Sequence, residues 1–273
     1  MNAWARFRRN RLALLGLALV GLLAVSAAAA PWLAPYDPAR QSLIEKRAKP
    51  GGKYLLGADE FGRDILSRVI WAYRLDMQIA LFATVFPLLF GCLVGALVGY
   101  YGGWPDVVFG RVVDAVITFP FLVLVIAIVA VLGPGLINMY IAVGVVGWVF
   151  YARLLRAEIR VQKRQDYAAA AKVMGYTDGR IILRHLLPNA ITPVLVFWMT
   201  DMALVILLGS SLGYLGLGAQ PPAAEWGVLI ADGKNFMTTA WWISIFPGLA
   251  IVLTGLGFSL VGDGVADLLR PER

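Results

Sequence analysis

The sequence predicts an all-α membrane protein with six membrane-spanning helices. Of its 273 residues, 60% are hydrophobic and only 15% are charged, whereas a soluble domain carries about 25% charged residues. The missing charge leaves long uncharged runs, and the Lys and Arg residues stand beside those runs. These observations exclude an ordinary soluble enzyme and a disordered chain. Because the basic residues stand beside the apolar runs, we attribute the net charge of +7 to membrane orientation and not to nucleic-acid binding.

Six apolar stretches are long enough for helices of about 20 residues, the length that crosses a bilayer. Two lie within the uncharged run 115–152, which Gly133-Pro134-Gly135 divides by a tight turn. The other four are predicted at residues 12–31, 77–101, 188–208 and 241–261. Pro87 is expected to kink the second helix, and Asp201 interrupts the fifth.

The distribution of Lys and Arg predicts the orientation, because these residues accumulate on the cytoplasmic side. With the first segment inside, 15 of the 24 Lys and Arg residues are cytoplasmic. Eight of the nine outer ones lie in the loop 31–76, and the other outer connections hold only Lys234. We therefore expect a multi-pass membrane protein with both termini in the cytoplasm.

The start of the chain has a second interpretation, because basic residues, a short apolar core and the small residues 26–30 also describe a cleavable signal peptide. We expect the segment to be retained as the first span. Residues 1–76 then comprise the cytoplasmic start, the first span and a periplasmic loop with an amphipathic helix. Residues 77–273 form a five-helix core with two long connections, 160–188 inside and 209–240 outside.

An alanine-rich segment in the inner connection is predicted to be a short helix, because alanine has the highest helix propensity. Tyr167, Ala170, Ala171 and Met174 fall at helical spacing on one face, and Gly175 is placed to end the helix in a left-handed conformation. The narrow stripe of small residues suits close contact with another protein. A connecting helix without a partner is the alternative.

This segment resembles the loop that defines the permease subunits of bacterial ATP-binding-cassette importers. The similarity lies in Ala169-Ala170-Ala171, Gly175, Ile182-Leu183 and Leu187-Pro188-Asn189. The resemblance implies a type I importer fold in which the segment is the coupling helix that docks on an ATPase subunit. Ala169 stands where the family has a glutamate. We therefore assign docking to the shape of the helix and to the polar residues of this segment. The implied coupling residues are Asp166, Tyr167, Ala169, Ala170, Ala171, Lys172, Met174 and Gly175.

Further motifs are similar to the second permease of dipeptide, oligopeptide and nickel importers. They are Trp32-Leu33-Ala34-Pro35-Tyr36-Asp37-Pro38, Leu56-Gly57-Ala58-Asp59, Gly62-Arg63-Asp64, Leu215-Gly216-Leu217-Gly218 and Gly262-Asp263-Gly264. The resemblance implies a second permease, two ATP-binding subunits and an extracytoplasmic binding protein as partners. It also implies that this chain is not itself an enzyme and binds no cofactor, with ATP and Mg²⁺ held by the partner subunits.

The outer connection is too long for a simple turn, and long ordered loops are usually functional. By the same resemblance we expect it to form an outer gate that contacts the binding protein. The residues assigned to this role are Gln220, Pro221, Pro222, Glu225 and Trp226. A loop that only caps the bundle is the alternative.

Several charged residues carry separate predictions. Arg63, Asp64, Arg68, Arg74 and Asp76 are expected to anchor an amphipathic helix at the membrane surface, and Arg111 is expected to pair with Asp114. Asp201 should point away from lipid. It is either a pore-lining group that meets a substrate amine or a structural partner for a neighbouring subunit, and we favour the second role.

The sequence gives little support for metal binding, ATP hydrolysis or ion-driven transport. His185, the only histidine, and Cys92, the only cysteine, form no metal-ligand pattern. The chain has no Gly-x-x-x-x-Gly-Lys-Ser/Thr phosphate loop, so it cannot hydrolyse ATP alone. The alternative function is an ion-driven secondary carrier using Asp114 and Asp201, although no internal repeat of the kind that such carriers show is evident.

Overall fold

The computed structural model describes residues 10–269, and this part of the chain is helical with no β-strand. Its helices of eight or more residues are α1 (Arg11–Ala28), α2 (Ile65–Tyr101), α3 (Gly103–Ile117), α4 (Phe121–Leu132), α5 (Leu136–Gln162), α6 (Asp166–Val173), α7 (Thr192–Tyr214), α8 (Trp226–Gly233) and α9 (Trp242–Leu269). Short helical segments lie at Ala30–Leu33, Leu43–Glu45, Asp178–Arg180, Ile181–Leu186, Leu187–Ala190 and Lys234–Phe236.

Five helices, α1, α2, α5, α7 and α9, are long and apolar enough to cross a membrane, and the bent pair α3 and α4 makes a sixth when it is counted as one broken span. This count agrees with the six-span prediction. The third span differs in detail, because α3 and α4 meet at an angle of 86° and α4 has only 12 residues. The break follows from Pro120, which cannot donate a backbone hydrogen bond and disfavours helical geometry at the residue before it.

The second helix is longer than predicted. The amphipathic helix expected before residue 77 is the first part of α2, which continues without a break through Pro87 to Tyr101. At about 1.5 Å per residue, its 37 residues span about 55 Å. The boundary drawn between residues 76 and 77 falls inside this helix.

Three glycines at four-residue spacing pack α2 closely against α5. A Cβ built on Gly91 would lie 2.5 Å from the Trp148 carbonyl oxygen, and one on Gly95 would lie 2.4 Å from the Ala152 carbonyl oxygen. Gly99 faces Arg156 in the same way, at 2.9 Å. Small residues at this spacing allow membrane helices to approach closely. Because the contact partners advance in step, α2 and α5 run parallel.

Helices α1 and α9 run antiparallel to each other. Gly16 of α1 faces Leu260 of α9, and Gly257 of α9 faces Val20 of α1. Asn10 donates a 2.8 Å hydrogen bond to Asp267, which places the two described ends of the chain on one side.

Helix α7 crosses α2 in the opposite direction, because Trp198 donates to Thr84 at 2.8 Å while Gly209 faces Ile79. Gly262 near the end of α9 faces Met199. The bundle therefore has two faces. Face A holds the ends of α2, α5 and α9 and the starts of α1 and α7. Face B holds the opposite ends and the connections 29–64 and 215–241.

Candidate functional site

Helix α6 lies on face A and forms as predicted. It ends in a Schellman motif, in which Gly175 has φ +77° and donates to the Lys172 carbonyl at 3.0 Å, while Tyr176 donates to the Ala171 carbonyl at 3.2 Å. The predicted left-handed glycine is confirmed. The tight end turns the chain back toward the bundle immediately after the helix.

Two buried alanines pack α6 against other helices of the same chain. Ala168 and Ala171 are buried in a cluster with Ile159 of α5 and with Ile181 and Leu186 of the following segment. The assignment of Ala171 to the partner-facing stripe is therefore wrong, because its side chain faces inward. An alanine-rich helix offers more than one narrow apolar face, and spacing alone does not show which face packs on the bundle.

The opposite face of α6 is open. It presents Val173, which is 90% exposed, and the exposed residues Asp166, Tyr167, Ala169, Ala170, Lys172 and Met174. Sequence analysis missed Val173, although its position three residues after Ala170 is a signal for the same face. An apolar helix face that is exposed while its reverse side is fixed suits contact with another protein.

Polar contacts join the residues on either side of α6 to the ends of α2 and α5. Tyr100 donates to Asp178 at 2.6 Å, and Lys163 donates to the Tyr100 carbonyl oxygen at 2.5 Å. The Arg180 guanidinium lies 4.1 Å above the Tyr176 ring, which stacks on His185. The α6 segment is thus attached to two membrane helices at once.

The third helix is fixed by a different pair from the one predicted. Arg111 and Asp114 are both exposed and form no ion pair with each other. Instead, Asp106 at the start of α3 accepts from Arg156 at 2.5 Å and from Arg160. The prediction for Arg111 and Asp114 is wrong, because long-range pairing between α3 and α5 determines this contact.

The outer connection on face B has an exposed part and a buried part. Gln220, Pro221 and Pro222 are exposed, and the Pro221-Pro222 peptide bond is cis. Glu225 and Trp226, which were also assigned to binding-protein contact, are fully buried. Direct contact by these two side chains is therefore excluded in this conformation.

Trp226 and Glu225 instead lock the start of α8 onto the bundle. The Trp226 indole packs edge-on against Tyr73 at 5.2 Å and donates to the Val69 carbonyl at 3.3 Å. The Glu225 carboxylate caps α8 by accepting from the backbone of Gly227 at 2.8 Å and of Val228 at 2.9 Å. Burial raises the pKa of Glu225 above its ordinary value.

A buried ion cluster replaces the predicted surface anchors. Asp59 accepts from Arg63 at 2.5 Å and from Arg68 at 2.6 Å, and Arg63 also donates to Asp232 at 3.0 Å. Burial raises the pKa of Asp232, while the charges of Arg68 and Arg63 oppose that rise. The cluster ties the loop before α2 to α8.

The anchor prediction is correspondingly wrong for four of its five residues. Arg63, Asp64, Arg68 and Asp76 are buried, because the polypeptide of connections 29–64 and 215–241 folds over the start of α2. Arg74 alone is exposed, with its guanidinium 5.1 Å above the Trp71 ring.

Asp201 is half-buried and lines a partly open pocket of about 430 Å³ between α2, α4, α5 and α7. Its carboxylate accepts from the Tyr151 hydroxyl at 2.5 Å. The expectation that Asp201 points away from lipid agrees with this position, and its role is taken up below.

Within residues 10–269, no three His, Cys, Asp or Glu side chains are arranged to hold a metal ion. Cys92 is half-buried and forms no disulfide. His185 packs against Tyr176.

A multi-span bundle with an exposed helix on one face and a folded connection on the other is the architecture expected of a membrane permease subunit. Residues 88–273 match the family model of binding-protein-dependent transport system inner membrane components, and residues 1–50 match that of the N-terminal transmembrane domain of oligopeptide transport permease C. The chain belongs to the family of binding-protein-dependent inner membrane components, and it is a permease component of an ATP-binding-cassette importer, not a catalytic subunit.

Named relatives align over almost the whole chain. A dipeptide transport permease of Alkalihalophilus pseudofirmus is 38% identical over 99% of this chain and 89% of the relative. A di- and tripeptide transport permease of Pseudomonas aeruginosa is 40% identical over 98% of this chain and 91% of the relative. A glutathione transport permease of Escherichia coli is 40% identical over 98% of this chain and 89% of the relative.

Proposed function

We propose that this chain forms half of the translocation pathway of an importer for di- or oligopeptides or related small solutes. The relatives are named for dipeptides, tripeptides and glutathione, which are all short peptides or peptide-like molecules. A second permease would form the other half of the pathway. Two ATP-binding subunits, which carry ATP and Mg²⁺, and an extracytoplasmic binding protein complete the proposed complex.

The proposed orientation places face A in the cytoplasm. The connections on face A carry most of the Lys and Arg residues outside the loop 31–76, whereas the face-B connection 215–241 holds only Lys234. Basic residues accumulate on the cytoplasmic side. Because Asn10 and Asp267 meet on face A, both termini would be cytoplasmic.

The exposed face of α6 is the single observation that carries the coupling role. Val173 and Met174 expose apolar surface on a helix that Ala168 and Ala171 hold rigidly to the bundle. A docked ATPase subunit would cover that surface, and its movement would pass through the Tyr100 and Lys163 contacts to α2 and α5. The outer gate role is proposed for Gln220, Pro221 and Pro222, which are exposed on face B.

Reconstitution tests the proposal. Proteoliposomes containing both permeases, the ATPase subunits and the binding protein should accumulate a labelled dipeptide only when ATP is present. Val173→Glu should prevent co-purification of the ATPase subunits and abolish uptake, because it places a charge in the proposed contact. Val161→Glu is the matched control, since Val161 is also exposed on face A but lies outside α6.

Two outcomes would contradict the proposal. Full ATP-driven uptake by the Val173→Glu complex would remove the coupling role from α6. Uptake driven by an ion gradient in vesicles that contain no ATPase subunits would instead support a secondary carrier.

A further inference from the structure

The pocket that contains Asp201 lies between helices α2, α4, α5 and α7 and combines mostly apolar walls with one charged group. Its volume of about 430 Å³ lies within the range of about 300–1,000 Å³ that is typical of small-molecule sites. Its walls include Phe121, Leu122, Phe150, Phe197 and Leu204. A site of this size accommodates a short peptide.

The carboxylate in this cavity is only partly satisfied. Asp201 Oδ2 accepts from Tyr151 at 2.5 Å, and among the described residues no hydrogen bond or ion pair involves Oδ1. The Asp201 residue is half-buried, and its accessible surface opens into the cavity. An unneutralised carboxylate at membrane depth costs about 2.5–3.5 kcal/mol on insertion scales, so the position favours a cationic ligand.

Tyr151 fixes the direction of that carboxylate. Its side chain is 1% exposed, and its ring packs edge-on against Phe197 at 5.0 Å between centroids. One carboxylate oxygen is therefore held by a rigid donor. Aromatic walls beside a carboxylate suit an ammonium group, because the ring faces add a cation–π attraction to the charge pair.

The cargoes named for the relatives share this chemistry. Dipeptides, tripeptides and glutathione differ in their side chains, but each carries a free α-ammonium group. One acidic group surrounded by apolar walls would recognise the shared ammonium and place few demands on the variable side chains. A transporter that accepts a class of peptides needs a site of this kind.

We propose that Asp201 receives the α-ammonium group of the peptide during transport, with Tyr151 as the residue that positions its carboxylate. The inference rests on the proposed function and names the contact inside the pathway. A lysine or arginine of the partner permease is the competing occupant, and the experiment separates the two.

The test uses the complete complex in proteoliposomes with a saturating concentration of dipeptide-loaded binding protein, so that capture by the binding protein does not limit the rate. Asp201→Asn should lower the rate of uptake roughly tenfold, the factor that corresponds to about 1.4 kcal/mol. Asp201→Glu should retain most of the activity because it keeps the charge. Tyr151→Phe should give a smaller loss.

Thr200→Val is the matched control. Thr200 precedes Asp201 on α7 and is exposed, and within residues 10–269 its hydroxyl bonds only to the Val196 carbonyl oxygen, so this variant should transport normally. A second measurement follows binding directly. The vanadate-trapped wild-type complex should retain labelled glycyl-leucine, and unlabelled glycyl-leucine should displace it whereas N-acetyl-glycyl-leucine should not.

The possible failures are distinguishable. Wild-type rates for Asp201→Asn, or equal displacement by the acetylated peptide, would overturn this inference alone. Loss of the partner permease from purified Asp201→Asn would also overturn it and assign Asp201 a structural role. A wild-type complex that fails to import any peptide with ATP would overturn both this inference and the proposed function.

Discussion

Arg68 donates a hydrogen bond to Asp59 across 2.6 Å, and both side chains are only 1% exposed. This contact joins the first turn of α2 to the preceding loop, and Arg63 and Asp232 extend it to α8. A charge buried in this way is stable only while its partner is present, because burial without a partner carries a large desolvation cost. The cluster therefore fixes the connections on face B to the bundle.

Removing one member of the cluster should destabilise the protein strongly. Asp59→Asn removes the carboxylate that bonds most closely to both Arg63 and Arg68 and leaves them with Asp232 at 3.0 and 3.5 Å. Loss of one partner of a buried pair costs about 3–5 kcal/mol. We expect a clear decrease in the unfolding temperature of the detergent-purified protein and a smaller yield from membranes.

The control for this prediction is an exposed ion pair in the same loop. Glu45 accepts from Lys53 at 2.6 Å and from Tyr54 at 2.6 Å, and these hydrogen bonds lower the pKa of Glu45 to about 2. The Glu45 side chain is accessible to solvent, so water replaces the hydrogen bonds that a substitution removes. Glu45→Gln should leave the unfolding temperature nearly unchanged, and an equal decrease for both variants would contradict the importance of burial.

Gly95→Ala should disturb the contact between α2 and α5. The added Cβ would lie 2.4 Å from the Ala152 carbonyl oxygen, so the helices must separate, and overpacking typically costs about 1–3 kcal/mol. Thermal unfolding monitored by circular dichroism measures the effect. Gly255→Ala is the control, because nothing lies within 4 Å of a Cβ at that position, and it should be neutral or slightly stabilising. Equal stability of Gly95→Ala and wild type would disprove the close packing.

Gly175→Ala should impair coupling without disturbing the membrane bundle. No atom lies within 4 Å of the added Cβ, so only the φ of +77° is unfavourable, at a cost of about 1–2 kcal/mol. The end of α6 should therefore rearrange. We expect lower stimulation of ATPase activity by the loaded binding protein, with an unchanged unfolding temperature.

Gly179→Ala is the matched control for that variant. Gly179 is equally open, but its backbone lies outside the left-handed region. Its stimulation should equal that of the wild type. If both variants behaved alike, the conformation of Gly175 would have no special part in coupling.

Asp106→Asn should loosen α3 from α5. The carboxylate accepts from Arg156 and Arg160, and hydrogen bonds to charged groups contribute about 1.5–3 kcal/mol when buried. Partial exposure of the arginines reduces this contribution to about 1 kcal/mol. Limited proteolysis should show faster cleavage between α2 and α4. Asp114→Asn on the same helix changes an exposed, unpaired carboxylate and should cleave at the wild-type rate.

The sequence predicted the features that depend on local chemistry. Span positions follow from uninterrupted apolar runs, and the end of α6 follows from a single glycine. The sharp bend before Phe121 was not predicted, although Pro120 is a local signal for it.

Features that depend on distant pairing could not be predicted. Arg68 and Asp59 are nine residues apart, and Asp232 joins them from much later in the chain, so nothing in the local pattern separates a buried cluster from a surface anchor. The local sequence around Trp226 likewise suggests an exposed amphipathic residue. Only the packing of α8 against Tyr73 shows that it is buried. The inward face of α6 depended on contact with Ile181, which also follows later.

The uninterrupted length of α2 has a mechanical consequence. One end of this helix carries Arg68, which holds the connections on face B, and the other carries Tyr100, which holds the segment after α6. A displacement at Tyr100 would therefore pass to the opposite face along one continuous helix, in which Pro87 interrupts the backbone hydrogen bonds near the middle. The two faces of the subunit are linked directly by this single element.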